Sequence, residues 1–230
     1  MRLDRFLANF PQYNRQQVRV LLVQRRVWVD AQPVIDPRHE VREFSRVEVD
    51  EQLLQAGRPA RYLMLHKPAG CVSATRDPQH PTVLDLLPPE LRDDLHIAGR
   101  LDYNTTGLMI LTNDGQWSRR LTQPRTKQAK IYLVETEDEI GAHYIDKFRE
   151  GFYFAFEDLT TLPAQLDILG PRSARLAIVE GRYHQVKRMF GHFDNKVIGL
   201  HRESMGPIHL DPALAPGAFR TLTAEEIAAV

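Results

Sequence analysis

The 230-residue chain predicts an α+β protein: a small N-terminal unit, then a larger domain with a mixed, mostly antiparallel sheet and flanking helices. Three observations predict it. Within the first 50 residues, two short helical patterns precede three short strand patterns. A stretch without periodicity, "DEQLLQAGRPAR", follows them. Beyond it, strand patterns alternate irregularly with helix patterns and some strands neighbour by hairpin, unlike the regular alternation of a doubly wound parallel sheet.

In order, Leu3, Phe6, Leu7 and Phe10 recur at helical spacing until Pro11 stops the run. Asn14 is placed to cap a second helix with Val18, Leu21 and Leu22 inward and Arg15, Arg19, Arg25 and Arg26 mostly outward. "VWVD", "QPVID" and "RVEVD" read as short strands between turn residues. Residues 1–50 thus form one unit, 51–60 a linker and 61–230 the second domain. "RYLMLHKPAGCVSA" predicts a strand ending at Lys67-Pro68, with Gly70 permitting a turn. "HPTVLDLLPPELRDDL" predicts a capped short helix with a proline-marked end. "GLMILTNDG" is a strand entering a turn, and "DGQWSRRLTQP" a helix capped by Asp114. "AKIYLVETE" is a further strand and "AHYIDKFREGFYF" a helix and turn. "ARLAIVEGRYHQVKRMFGHF" reads as strand, turn and basic helix, and "NKVIGLHRESMG" as strand again.

Thirty basic and thirty acidic residues cancel, so net charge says nothing about partners, but its distribution does. Residues 1–30 hold six arginines against Asp4 and Asp30. Residues 118–130 hold Arg119, Arg120, Arg125, Lys127 and Lys130 with no acid, and residues 181–202 hold Arg182, Lys187, Arg188, Lys196 and Arg202 against Asp194 alone. Arginine outnumbers lysine four to one, which suits forked contacts to phosphate. One such cluster reads as a solvated face. Three in a neutral chain point to a polyanion partner as readily as to solvated faces. Cys71 is the sole cysteine, which excludes a disulfide framework and a cysteine-based zinc site. No apolar run approaches a membrane span, and "MRLDRFLANFPQ" lacks the apolar core of a signal peptide. The expectation is a cytoplasmic monomer with no membrane partner.

"GRLDYNTTGLMILTNDG" (99–115) puts a carboxylate in a tight turn before an apolar strand. By itself Asp102 reads as an Asx-type turn. The same turn can present the carboxylate, held by backbone donors beside Arg100, as a nucleophile or an electrostatic stabiliser. There is no serine elbow, nucleotide-binding glycine loop or histidine pair at ligand spacing to compete. In "KIYLV", strand alternation places Tyr132 on the face of Lys130 and Val134, as core filling or as a ring that stacks on a base and offers a phenol. Lys187, in "EGRYHQVKRMFG", is a solvated cation near a helix start or the partner of a buried carboxylate.

Two resemblances join these segments. "RLDRFLA" with "NRQQVRVLLVQRRVWVDAQPV" resembles the S4 RNA-binding domain, an S4-like (α-L) unit over roughly residues 1–50, with Asn14 for the usual serine. "LHKPAG", "GRLDYNTTGL", "KIYLV" and "EGRYHQVKRMF", in that order, resemble the pseudouridine synthase family of the RsuA type nearly end to end. Position by position, the resemblance implies a nucleophilic aspartate at Asp102, an active-site tyrosine at Tyr132 and a basic partner for the aspartate at Lys187, where many relatives carry arginine. It implies that Arg100 and Thr106 shape the turn. Arg188 and the S4-like arginines Arg15, Arg19, Arg25 and Arg26 are expected to hold RNA. The implied reaction detaches a flipped-out uridine base and rejoins it through C5, with neither redox change nor hydrolysis, so no cofactor and no metal is implied. The implied target is a uridine of small-subunit (16S) ribosomal RNA, of the pseudouridine-516 type, met within an assembly intermediate. A large-subunit target on the same core and a non-catalytic ribosome-assembly protein are the alternatives. A glycoside hydrolase pairing Asp102 with Asp114 is disfavoured, because the strand between them carries the two apart.

Overall fold

The structure, a computed structural model, describes residues 1–123 and 128–230, in two compact units, Met1–Ala60 and Arg61–Val230. Arg125 and Lys127 of the second basic cluster lie outside the described residues. Among the described residues, no helix is long and apolar enough to cross a membrane.

The first unit holds helices α1 (Leu3–Leu7) and α2 (Arg15–Val23) and strands β1 (Val27–Val29), β2 (Gln32–Pro33), β3 (Val47–Val49) and β4 (Gln52–Gln55). The strands form one antiparallel sheet in the order β2-β1-β3-β4. Its core is Leu3, Leu7, Val18, Leu21, Leu22 and the inward valines of β1 and β3. Helix α1 stops a turn short of Phe10, since the residue before a proline disfavours helical backbone; Phe10 instead packs edge to face on Phe6. Asn14 caps α2 in a full capping box with Gln17. The stretch expected as a linker is corrected in part. Gln52–Gln55 pairs with β3, and the Gln55 amide donates to the carbonyls of Arg42 and Ser45, both at 2.7 Å. An edge strand needs no full apolar alternation, so its pattern read as none.

The second unit is built on a sheet in the order β11-β12-β8-β13-β7-β5-β15. These are β5 (Tyr62–Lys67), β7 (Thr106–Thr112), β8 (Lys130–Thr136), β11 (Gln165–Gly170), β12 (Ser173–Ile178), β13 (Val197–Met205) and β15 (Phe219–Thr221). Strand β6 (His96–Ala98) pairs with β7, β14 (Ile208–His209) with β13, and β9 (Tyr153–Phe154) forms a separate hairpin with β10 (Leu159–Thr160). Of the pairings between these strands, β13 on β7 is parallel and the rest are antiparallel, as the mixed, mostly antiparallel reading expects.

Both faces of the central strands are covered. Leu63, Leu65, Met109 and Leu111 enter one core with Tyr132 and Phe148, while Met64, Leu108 and Ile110 enter another with Trp117 and Leu121. That is why "LMIL" is apolar without alternation. The flanking helices are α3 (Pro89–Arg92), α4 (Gly115–Thr122), α5 (His143–Glu150), α6 (Gln185–Gly191) and α7 (Ala224–Ala228). The helix expected over "HPTVLDLLPPELRDDL" is split into a 3-10 turn, Val83–Leu86, capped by Thr82, and then α3. Leu87 and Pro88 are extended between them because each precedes a proline. Asp114 caps α4 by accepting from the backbone of Gln116 and Trp117, and accepts from the Tyr62 hydroxyl at 2.7 Å.

Candidate active site

The loop from Gly99 to Thr105, between β6 and β7, carries Asp102 and is held along its backbone. Six of its seven carbonyls are held. Arg202 donates to Gly99 at 3.0 Å and Arg100 at 3.4 Å, the Ser73 hydroxyl to Leu101 at 2.6 Å, and the Thr105 amide to Asp102 at 3.1 Å. The Lys67 Nζ donates to Tyr103 at 3.1 Å and Thr105 at 2.9 Å, and the Gly70 amide joins it at Tyr103. Lys67 and Arg202 are fully buried. Their hydrogen bonds go to backbone oxygens, so the segment carrying Asp102 is clamped from the two strands that flank β7. Burial depresses the Lys67 pKa, against the charges of Cys71 and Asp102.

Gly107 makes this clamp possible. The parallel pairing sets it opposite Arg202 at φ 106°, and a Cβ there would lie 2.3 Å from the Arg202 carbonyl oxygen. Only glycine fits. Arg202 can then direct its Nε to the Leu108 carbonyl at 2.8 Å.

Asp102 faces a cavity of about 570 Å³, lined also by Arg100, Thr105, Lys130, Tyr132, His184 and Lys187. The Lys187 Nζ lies 3.0 Å from one carboxylate oxygen and the His184 Nε2 3.6 Å from the other. Lys187 reaches it from the first turn of α6, whose approach is fixed by the buried carboxylate of Glu180. That carboxylate accepts from the Gln185 amide at 2.8 Å and from Arg182 at 3.0 Å. Tyr132 stands on β8 with its ring in the cavity wall and only 7% exposed. Lys130, on the same face, is also buried, which together with Arg202 depresses its pKa against the charge of Glu180. The buried Thr105 hydroxyl has no partner among the described residues.

The structure therefore brings Asp102, Tyr132, Lys187 and Arg100 to one cavity, and places other expected residues elsewhere. Thr106 does not line it. Its hydroxyl meets His201 Nδ1 at 2.8 Å, because successive strand residues point to opposite sides and Thr105 takes the cavity side. Arg188, expected on RNA, is engaged within the protein: it forks onto Glu157 at 2.6 and 2.8 Å and lies 3.5 Å from the Phe154 ring centroid. Lys130 and Arg202, counted in basic clusters, are wall and clamp rather than surface. In the first unit, Arg15, Arg19 and Arg25 are exposed with no ion pair among the described residues, whereas Arg26 is paired with Asp50 at 2.6 Å. Sequence reasoning missed Lys67, Ser73, Arg202 and His184 as parts of the site. Lys67 and His184 lie inside "LHKPAG" and "HQVKRM" and Ser73 just past the first, whereas Arg202 lies near none of these motifs.

Comparison with known proteins shows the family of the chain. The RNA pseudouridylate synthase model matches residues 61–192 and the S4 domain model residues 1–47. The chain is 69% identical over 230 residues to a protein of Pseudomonas aeruginosa named ribosomal small subunit pseudouridine synthase A, covering all of both chains. The protein of that name from Escherichia coli is 44% identical, again over the full length of both. A crystal structure described as a pseudouridylate synthase superposes with a TM-score of 0.72 at 39% identity, covering 99% of this chain and 98% of that one. The chain belongs to the RNA pseudouridylate synthase family, as an RsuA-type member with an N-terminal S4 domain.

Proposed function

We propose that this pseudouridine synthase acts on a uridine of small-subunit (16S) ribosomal RNA, of the 516 type, with Asp102 as its nucleophile. The observation that carries the chemistry is the ion pair of Asp102 with Lys187 at 3.0 Å, at the wall of a cavity shared with Tyr132. The isomerisation breaks the N1–C1′ bond, turns the detached base and rejoins it through C5. One carboxylate serves each way of starting it: addition to the ribose, addition to the pyrimidine, or loss of the 2′ proton. Lys187 orients that carboxylate. Tyr132 walls the base in and offers a phenol for proton transfer. The loop clamp matters because a nucleophile misplaced by an ångström loses much of its advantage.

Extruding a uridine from RNA costs a few kcal/mol, which backbone contacts must offset. The S4 domain, through Arg15, Arg19 and Arg25, is their source in this reading, with Arg26 in second place because of Asp50. Support for the small-subunit target comes from the two relatives of that name, both matched end to end. The substrate is taken to be ribosomal RNA in an assembly intermediate, and the enzyme a monomer. Tritium release from 5-tritiated uridine in small-subunit RNA, with mapping of pseudouridine in cells lacking the protein, tests this. Loss of one small-subunit pseudouridine is expected. Loss of a large-subunit site overturns the target, and no release from any ribosomal RNA overturns the aspartate chemistry.

A further inference from the structure

We propose that Tyr183, stacked on His184 at the rim of the cavity, is a platform for the nucleobase next to the target uridine in the RNA chain. This rests on the RNA reading above and extends it to the flanking nucleotide. His184 stands just before α6 at φ 47°, ψ 32°, a left-handed conformation that L residues adopt rarely. That backbone turn has a visible result: the His184 ring lies between the Asp102 carboxylate, 3.6 Å from its Nε2, and the Tyr183 ring. The two rings are parallel within 18°, with centroids 3.9 Å apart. Tyr183 is 75% exposed, so its other face is open. A large ring left in water contributes little to folding, yet this one is laid flat on the His184 ring. Its carbonyl accepts from Arg188 at 3.4 Å, and Arg188 is itself fixed by its fork on Glu157 and by the Phe154 ring beneath it. Arg188 thus joins the backbone of the platform to the Glu157 turn.

The occupant follows from what lies alongside. The cavity that Tyr183 rims is the one that takes the uridine, and Arg100, exposed on the same lining, offers a cation to an adjoining phosphate. Flipping a uridine out unstacks its neighbours and bares a π-face on each. An aromatic ring with one free face, held beside the extruded base, compensates for one of those lost stacks. Every base has such a face, so this contact adds affinity with little sequence preference.

The test uses full-length wild-type protein, Tyr183→Phe and Tyr183→Leu. The probe is a single-stranded oligoribonucleotide with one uridine and 2-aminopurine on its 5′ or 3′ side. Wild type and Tyr183→Phe should quench the fluorophore on one side of the uridine, and Tyr183→Leu should not. With ribosomal RNA, Tyr183→Leu should raise KM about tenfold or more, the worth of one base–aromatic stack. Its rate at saturating RNA should stay within about threefold of wild type, since the ring touches no reacting atom. Equal quenching by Leu and wild type, failure of Phe alongside Leu, or an unchanged KM overturns the platform. Tyr183-dependent quenching by a protein that forms no pseudouridine overturns the proposed function and leaves the platform standing.

Discussion

Arg202→Met removes a guanidinium without an exposed atom, whose three bonds all end on carbonyls around the Asp102 loop. The bonds to Leu108 at 2.8 Å and Gly99 at 3.0 Å have full-strength geometry, whereas Arg100 at 3.4 Å is marginal. At about 1.5–3 kcal/mol for a hydrogen bond from a charged donor, the gross loss is about 3–6 kcal/mol. Methionine refills much of the volume and relieves the burial of a cation that has no carboxylate within ion-pair reach among the described residues, leaving a net cost of about 2–4 kcal/mol. In a domain of this size that lowers Tm by roughly 5–15 °C. The effect on rate is separate. The Gly99 end of the loop goes slack three residues before Asp102, and a displacement near 1 Å of the proposed nucleophile costs about 10²-fold in turnover. Arg202→Lys keeps the charge but not the fork, and should fall between Met and wild type in both measures. Thermal melts give the first quantity, and single-turnover pseudouridine formation well below the melting temperature gives the second. A Met variant that is destabilised but turns over at the wild-type rate would show that Arg202 stabilises the sheet without placing Asp102.

Asp102→Asn should fold and bind RNA yet form no pseudouridine, and product above background removes the nucleophile assignment. Tyr132→Phe should keep RNA affinity and lose about 10²–10⁴-fold in product formation, the usual worth of a positioned acid–base group; full activity reduces the ring to a wall. Lys187→Met should slow turnover about tenfold or more, since a pair about one-third exposed lies between the surface and buried limits at about 1–3 kcal/mol. Lys187→Arg should retain most activity, and equal behaviour of the two variants sinks the ion-pair role. Replacing Arg15, Arg19 and Arg25 together by Gln should flatten the log-affinity against log-salt slope by about 2–3 units, at about 0.7–0.9 per phosphate. An unchanged slope takes these arginines off the RNA. Burial holds the His96 and His201 imidazoles below their ordinary 6.5. The unfolded chain therefore binds more protons as pH falls through 6.5, so stability is present above that value and declines below it, and His96→Gln should blunt the decline in Tm.

The residues proposed to react were legible because each sits in a short motif of fixed order, and the strands and caps around them follow local rules. Asn14 and Asp114 cap where their spacing says they should. What local rules miss is register. Whether Thr105 or Thr106 faces the cavity depends on where β7 begins, and a one-residue slip exchanges them. Lys67 and Arg202 are 135 positions apart, and no pattern says that two cations of ordinary appearance will meet one loop from inside the sheet. Charge counting placed Arg202 in a surface cluster because composition has no depth. Its burial is decided by the parallel pairing of β13 on β7, whose trace in the sequence is the glycine after Thr106. The ion pair of Arg188 was hidden for the same reason: its acid, Glu157, lies 31 residues away on a hairpin turn.

The buried cations also bear on how a carboxylate works beside a polyanion. A phosphate about 8 Å from Asp102 raises the energy of the carboxylate by about 2 kcal/mol at an effective dielectric of 20. Surface lysines would be poor compensation, because RNA binding draws such charges onto the phosphates and salt screens them. Lys67 and Arg202 are out of reach of either, and Lys187 sits directly against the carboxylate. Their carbonyl partners satisfy the hydrogen bonds of the two buried groups without neutralising them, so the positive field persists when RNA arrives. Had each been paired with a carboxylate, the loop could be held as firmly, but the two would add little net field at Asp102 to that of Lys187. Clamping the Asp102 loop with cations on backbone oxygens does both jobs with the same side chains.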